Sequence, residues 1–145
     1  RNKKIMLSNL LQKASNLKEE GNLYFRNKEF LSASTKYSEA LKTMESVSSE
    51  DANGKKLLLN LYVNRAACNL KLAKYENCLS DCSSVLMSTD NSFKTKALYR
   101  RAQAFAKMKS WKESRTDLLT LLKDEPNNTD AQQLMREVIG EMQKG

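Results

Sequence analysis

The sequence predicts an all-α protein made of stacked helix pairs. Three observations carry this expectation: apolar residues at helical spacing, a shortage of turn formers, and an internal repeat. Glycine occurs 4 times and proline once in 145 residues. That is too few for a sandwich or barrel, which must turn about every ten residues. Apolar residues make up 40% and charged residues 29%, both ordinary for a globular protein. The length suits one compact unit, so residues 1–145 are read as a single domain. The chain opens at Arg1 rather than methionine, which reads as a piece of a longer protein.

The elements follow in order. Lys3–Lys13, with Ile5, Met6, Leu10 and Leu11, extends the first helix or packs against it. Leu17, Gly21, Tyr24 and Phe25 then share one side of that helix. A break is expected near Asn27–Lys28, and a second helix opens at Phe30. The serine-rich stretch Ser46–Asn53, followed by Gly54, lengthens the connection to the next pair. That pair breaks at Ala73–Lys74 and resumes at Tyr75; the third breaks at Lys109–Ser110 and resumes at Trp111. Thr129 is the expected N-cap of a seventh helix, Thr129–Lys144, with Ala131, Leu134, Met135, Val138, Ile139 and Met142 on one face. It covers the open end of the stack, with a partner-binding helix as the alternative.

The repeat explains why the pairs resemble one another. Leu17, Gly21, Tyr24, Phe30, Ala33, Tyr37 and Ala40 correspond, 45 residues on, to Tyr62, Ala66, Asn69, Tyr75, Cys78, Cys82 and Val85. A further 36 residues give Leu98, Ala102, Phe105, Trp111, Ser114, Leu118 and Leu121. Size class recurs rather than identity: small at Gly21/Ala66/Ala102, aromatic at Phe30/Tyr75/Trp111. Small residues let two helices approach closely and the ring fills the space beside their turn. The extra residue spacing falls in Ser46–Asn53 and near Thr89–Asn91.

Several chemistries are disfavoured. There is no histidine, which removes the commonest general base and zinc ligand. Cys68, Cys78 and Cys82 are too few for a four-ligand zinc site and read as buried free thiols of a reducing compartment. No cofactor and no metal is expected, and no enzyme constellation stands out. The net charge of +8 suits an acidic partner of some kind. No apolar run is long enough to insert in a membrane.

A polar stripe runs along the first helices of the pairs. It comprises Lys18, Asn22 and Phe25, then Asn60, Asn64, Ala67 and Lys71, then Lys96, Arg100, Gln103 and Lys107. Steps of three and four place each set on one helix side. Ammonium, guanidinium and amide groups together suit carboxylate oxygens. Lys96 and Arg100 are both expected to be exposed.

The repeat is similar to the tetratricopeptide pattern, whose period is 34 residues and whose third copy here closes on Pro126. This implies a right-handed superhelix of three helix-turn-helix repeats, about 14–47, 59–91 and 95–128, with a capping helix over about 129–144. Lys18 with Asn22, then Asn64, then Lys96 with Arg100, resemble the dicarboxylate clamp of tetratricopeptide co-chaperones of Hsp90 and Hsp70. The strings Leu17-Lys18-Glu19-Glu20-Gly21-Asn22, Asn64-Arg65-Ala66-Ala67 and Lys96-Ala97-Leu98-Tyr99-Arg100-Arg101 carry the resemblance, nearest the myosin-chaperone and immunophilin branches. It implies a cytoplasmic, monomeric adaptor, possible in the nucleus as well, that grips an acidic tail ending Glu-Glu-Val-Asp. Phe25, Ala67 and Lys71 would then border the groove. The alternative is a basic helical array binding RNA or another acidic partner. Phe25 is the one stacking aromatic of the stripe, which counts against base recognition.

Overall fold

A computed structural model describes residues 2–47 and 51–145. Among them, the helices are α1 (Asn2–Arg26), α2 (Phe30–Thr43), α3 (Ala52–Lys71), α4 (Tyr75–Leu86), α5 (Lys94–Lys107), α6 (Trp111–Asp124) and α7 (Thr129–Lys144), with a 3₁₀ turn at Met44–Ser46. Pairs α1/α2, α3/α4 and α5/α6 pack within themselves, α2 packs on α3, α4 on α5, and α7 closes the stack against α6. The first helices of successive pairs touch, α1 with α3 and α3 with α5, so one side of the stack is lined by these three. The second helices open at Phe30, Tyr75 and Trp111, where the aromatic repeat position predicts them.

Each pair is joined by the same turn. Lys28, Ala73 and Lys109 have φ of 62°, 58° and 61°. The following amides donate five residues back, Glu29 to the Tyr24 carbonyl, Lys74 to Asn69 and Ser110 to Phe105, at 2.9, 2.8 and 2.8 Å. Lys28, Ala73 and Lys109 themselves donate to Phe25, Leu70 and Ala106. This is the Schellman closure, here made without the glycine that usually takes the left-handed position.

The pairs are tied by a charge ladder at equivalent positions. The Arg65 guanidinium donates from Nε and Nη2 to both Asp81 oxygens, at 2.9 and 2.6 Å, and from Nη1 to Ser38 of the preceding pair. Arg101 does the same with Asp117, at 2.8 and 2.7 Å, and with Ser83. The first pair reverses the signs, with Lys36 3.5 Å from Glu20. The small positions are fully buried: Ala66, Ala102, Ala33, Cys78 and Ser114 show no exposed surface. Ser114 satisfies its hydroxyl by donating to the Ala102 carbonyl at 2.8 Å.

Two expectations need correction. The added length between the first and second pairs is largely helix, not connection. Asp51 caps α3, accepting from the Gly54 amide at 2.6 Å, so α3 starts at Ala52 and Gly54 lies inside it. Residues 48–50 of the expected connection lie outside the described residues. The cap of α7 is Asn128, whose side chain accepts from Ala131 N at 3.0 Å, and Thr129 is the first helical residue. All three cysteines are buried. Burial pushes the Cys68 thiol up to about 12. A hydrogen bond with Cys78, then burial, raises Cys82 as well, so these thiols stay protonated.

The turn geometry makes a prediction. A left-handed residue with a side chain costs about 1 kcal/mol relative to glycine. Ala73→Gly should therefore raise stability by about that amount, read as a higher urea midpoint with an unchanged slope. A lower midpoint would show that the turn is not strained.

Candidate functional site

The side of the stack formed by α1, α3 and α5 contains a small hollow. Asn22, Phe25 and Arg26 come from α1, Asn64 and Ala67 from α3, Arg100 from α5, and Tyr37 from α2. Together they line an open hollow of about 180 Å³. The polar groups of this lining are amides, guanidiniums and a phenol, and no carboxylate of the described residues belongs to it.

Gly21 sets the geometry of the α1 wall. A Cβ at this position would lie 2.6 Å from Cε1 of Tyr37, so glycine is what lets the ring press against α1. The Tyr37 hydroxyl then donates to Asn22 Oδ1 at 2.5 Å. Asn64 Nδ2 approaches the same oxygen at 3.5 Å. With Oδ1 occupied, the Asn22 amide is left to offer its Nδ2 hydrogens. Burial raises the Tyr37 hydroxyl above its ordinary pKa, so the phenol remains a donor at any physiological pH.

Arg100 forms the opposite wall. Its Nη1 donates to the Val63 carbonyl at 3.0 Å, and burial lowers its pKa, with Cys82, Cys78, Cys68 and Tyr37 as the neighbouring groups that oppose this. A guanidinium nonetheless stays charged in proteins. Among the described residues no carboxylate lies within 4.0 Å of it, whereas Arg65 and Arg101 each hold an aspartate. The expectation that Arg100 is exposed fails, because the guanidinium is drawn in over the cysteine-rich core; Lys96, one turn earlier, is exposed as expected.

Of the eight residues singled out in the sequence, Asn22, Phe25, Asn64, Ala67 and Arg100 line the hollow. Lys18, Lys96 and Lys71 do not line it but stand one helical turn from residues that do. Lys18 is half-buried four residues before Asn22, its Nζ 3.9 Å from Glu19. Lys96 precedes Arg100 by the same step on α5. Lys71 follows Ala67, with Nζ 5.9 Å from the centre of the Phe30 ring. That ring meets Phe25 edge-on, centroids 5.2 Å apart. Gln103 and Lys107 of the stripe belong to a second groove of about 520 Å³ between α5 and α7.

Arg26 and Tyr37 were missed. Arg26 continues the Lys18–Asn22 step by one turn and could have been read from spacing alone. Tyr37 was absorbed into the core pattern of the repeat; its facing glycine was the available signal. Chemically, the hollow offers hydrogen-bond donors around an uncompensated cation, an arrangement suited to a carboxylate.

No protein-family model matches the chain. Protein unc-45 homolog B of Mus musculus is 36% identical over 131 residues, covering 90% of this chain and 13% of that protein. The chain thus spans about an eighth of the length of that relative. Among solved structures, the C-terminal TPR-containing domain of a Plasmodium falciparum protein named as FK506-binding superimposes with a TM-score of 0.85 at 26% identity, covering 95% of this chain and 93% of that one. The first TPR of Spaghetti (RPAP3), bound to the HSP90 peptide SRMEEVD, gives a TM-score of 0.75 at 27% identity, covering 90% of this chain and 94% of that one.

The Gly21–Tyr37 contact separates two glycines. Gly21→Ala should destabilise the fold by about 1–3 kcal/mol by overpacking. Gly140→Ala in α7, where an added Cβ meets nothing within 4 Å, should stabilise it by about 0.5–1 kcal/mol. Denaturant midpoints of the two variants check both signs.

Proposed function

Because this chain is a tetratricopeptide-repeat domain, we propose that it is a docking module for the acidic carboxy-terminal tail of Hsp90, Hsp70 or both, acting as a co-chaperone adaptor. The observation that carries this reading is the half-buried Arg100 guanidinium, which faces a hollow of amide donors with no carboxylate of its own. A chain terminus supplies what is missing. Its α-carboxylate and the side chain of a last aspartate together bring two negative groups and four acceptor oxygens.

In this reading Asn22, Asn64 and Arg100 hold one carboxylate inside the hollow, and Lys18 and Lys96 reach the other from one turn away. Phe25 and Ala67 give the penultimate apolar side chain a surface, and Lys71 faces acidic residues further upstream. Tyr37 positions the Asn22 amide rather than touching the peptide. Charge-assisted bonds contribute about 1.5–3 kcal/mol each before ordering costs. Several are therefore needed to reach the about −8 kcal/mol of a micromolar complex. The peptide bound to the RPAP3 repeat ends in EEVD, which supports the same class of ligand here.

The domain binds and does not catalyse in this reading; any activity belongs to other parts of a longer protein. Residues 1–145 act as one monomeric unit of three repeats and a capping helix, in the cytoplasm, with the nucleus as a second location. Among the described residues no helix is long and apolar enough to cross a membrane.

Titration with an Hsp90-type tail peptide and its carboxy-amidated twin tests this directly. The amidated peptide should bind at least about tenfold more weakly, since it loses a charge-assisted contact worth about 1.4 kcal/mol or more. Lys96→Ala should weaken the free-acid peptide with little change in unfolding midpoint, because its side chain is exposed. Arg100→Ala should lose both binding and stability, because it also leaves the Val63 carbonyl without its donor. Equal binding of acid and amide would contradict the reading.

A further inference from the structure

The closing helix leaves part of its side uncovered. α7 packs along α6 and meets α5 far less, so a groove of about 520 Å³ opens between α5 and α7. The floor is apolar, formed by Tyr99 and Ala106 of α5, Trp111 of α6, and Leu134 and Val138 of α7. The α7 rim is acidic. Asp130, Glu137 and Glu141 follow one another at steps of seven and four residues, which puts them on one side of α7. Burial, then Asp130 and Glu137, raise the Tyr99 hydroxyl above its ordinary value, so both carboxylates bear on that ring. Glu141 is held by Lys144 of the same helix at 2.9 Å. Asp130 and Glu137 have no Lys or Arg within 4.0 Å among the described residues, and Glu137 accepts only from Gln133, at 3.2 Å. The one cation of the lining is Lys107, on the α5 rim. The groove is therefore net acidic in a chain whose net charge is +8.

We propose that the α5–α7 groove docks a basic amphipathic helix of a partner protein. A helix is about 10–12 Å across with its side chains, too broad to sink between α5 and α7. It lies over the groove and inserts one stripe of apolar side chains. These meet Tyr99, Trp111 and Leu134, while Lys or Arg residues flanking the stripe meet Asp130 and Glu137. Those two carboxylates are about 10 Å apart along α7, at about 1.5 Å per residue. Partner cations seven residues apart, on a helix running beside α7, match that spacing. An acidic tail or a nucleic acid brings like charge to this rim and does not suit it. The inference is independent of the tail-docking reading, because no residue of this groove lines the Arg100 hollow.

Trp111 is the single tryptophan of the chain and lies in the groove floor, so its fluorescence reports occupancy. The probe is a synthetic helical peptide with leucines along one stripe and lysines seven residues apart on its flank. It should bind with a shift in Trp111 emission. A peptide of the same composition, with its leucines scattered around the helix, should bind at least about fivefold more weakly because less apolar surface is buried. Asp130→Asn/Glu137→Gln should weaken the first peptide about fivefold, the scale of two exposed ion pairs. Glu76→Gln/Glu113→Gln, which removes exposed carboxylates of α4 and α6 outside the groove, should leave it unchanged. Unfolding midpoints check that both variants are folded. Lys96→Ala, a variant that tests tail docking, should not alter this affinity either, so each reading can fail alone. Equal binding of the two peptides, or equal weakening in the two double variants, overturns the proposal. So does displacement of the peptide by a single-stranded RNA oligomer. Self-association of the domain without peptide, abolished by Asp130→Asn/Glu137→Gln, also overturns it, because the occupant is then a second copy.

Discussion

A guanidinium cannot give up its proton in a protein, so a fold that draws one away from water must supply an anion or leave the charge short of one. This chain does both, at adjacent residues of α5. Arg101 turns into the seam between pairs and receives both oxygens of Asp117. Arg100 turns to the inner side and donates only to the Val63 carbonyl, above a cluster of buried cysteines. The deficit is local, and the surrounding hollow offers donors rather than acceptors. An incoming carboxylate would complete the site, and that is the physical basis for reading it as a place where a chain end docks.

The scaffold that holds this deficit is stiff for identifiable reasons. Three left-handed turns close the three pairs in one geometry; the Arg–Asp bonds lock α3 to α4 and α5 to α6, and the same guanidiniums reach Ser38 and Ser83 of the preceding pairs. The close approach at Gly21 links fold and site, because the contact that packs the Tyr37 ring also delivers its hydroxyl to Asn22. The wall amides are thus aimed before any ligand arrives, which reduces the ordering cost of binding.

Much of this was legible in the sequence because the repeat encodes size. Aromatic Phe30, Tyr75 and Trp111 mark where the second helices begin, and steps of three and four put Asn22, Phe25, Asn64, Ala67 and Arg100 on facing walls. What could not be read depends on contacts between distant segments. The burial of Arg100 comes from Val63 on α3 and cysteines of α3 and α4, none of them near it in sequence. The early start of α3 hid because a serine-rich stretch reads as connection, while the cap at Asp51 is a single local hydrogen bond. Tyr37 looked like one more core aromatic, and only its 2.5 Å bond to Asn22 reveals a second task.

The most direct measurement is a structure of the domain with an acidic peptide ending in a free carboxylate. The account predicts a terminal carboxylate oxygen within about 2.7–3.2 Å of Asn22 Nδ2, Asn64 Nδ2 and an Arg100 nitrogen, with the Val63 bond kept. A peptide seated elsewhere, with Arg100 still bonded to the Val63 carbonyl alone, would contradict it.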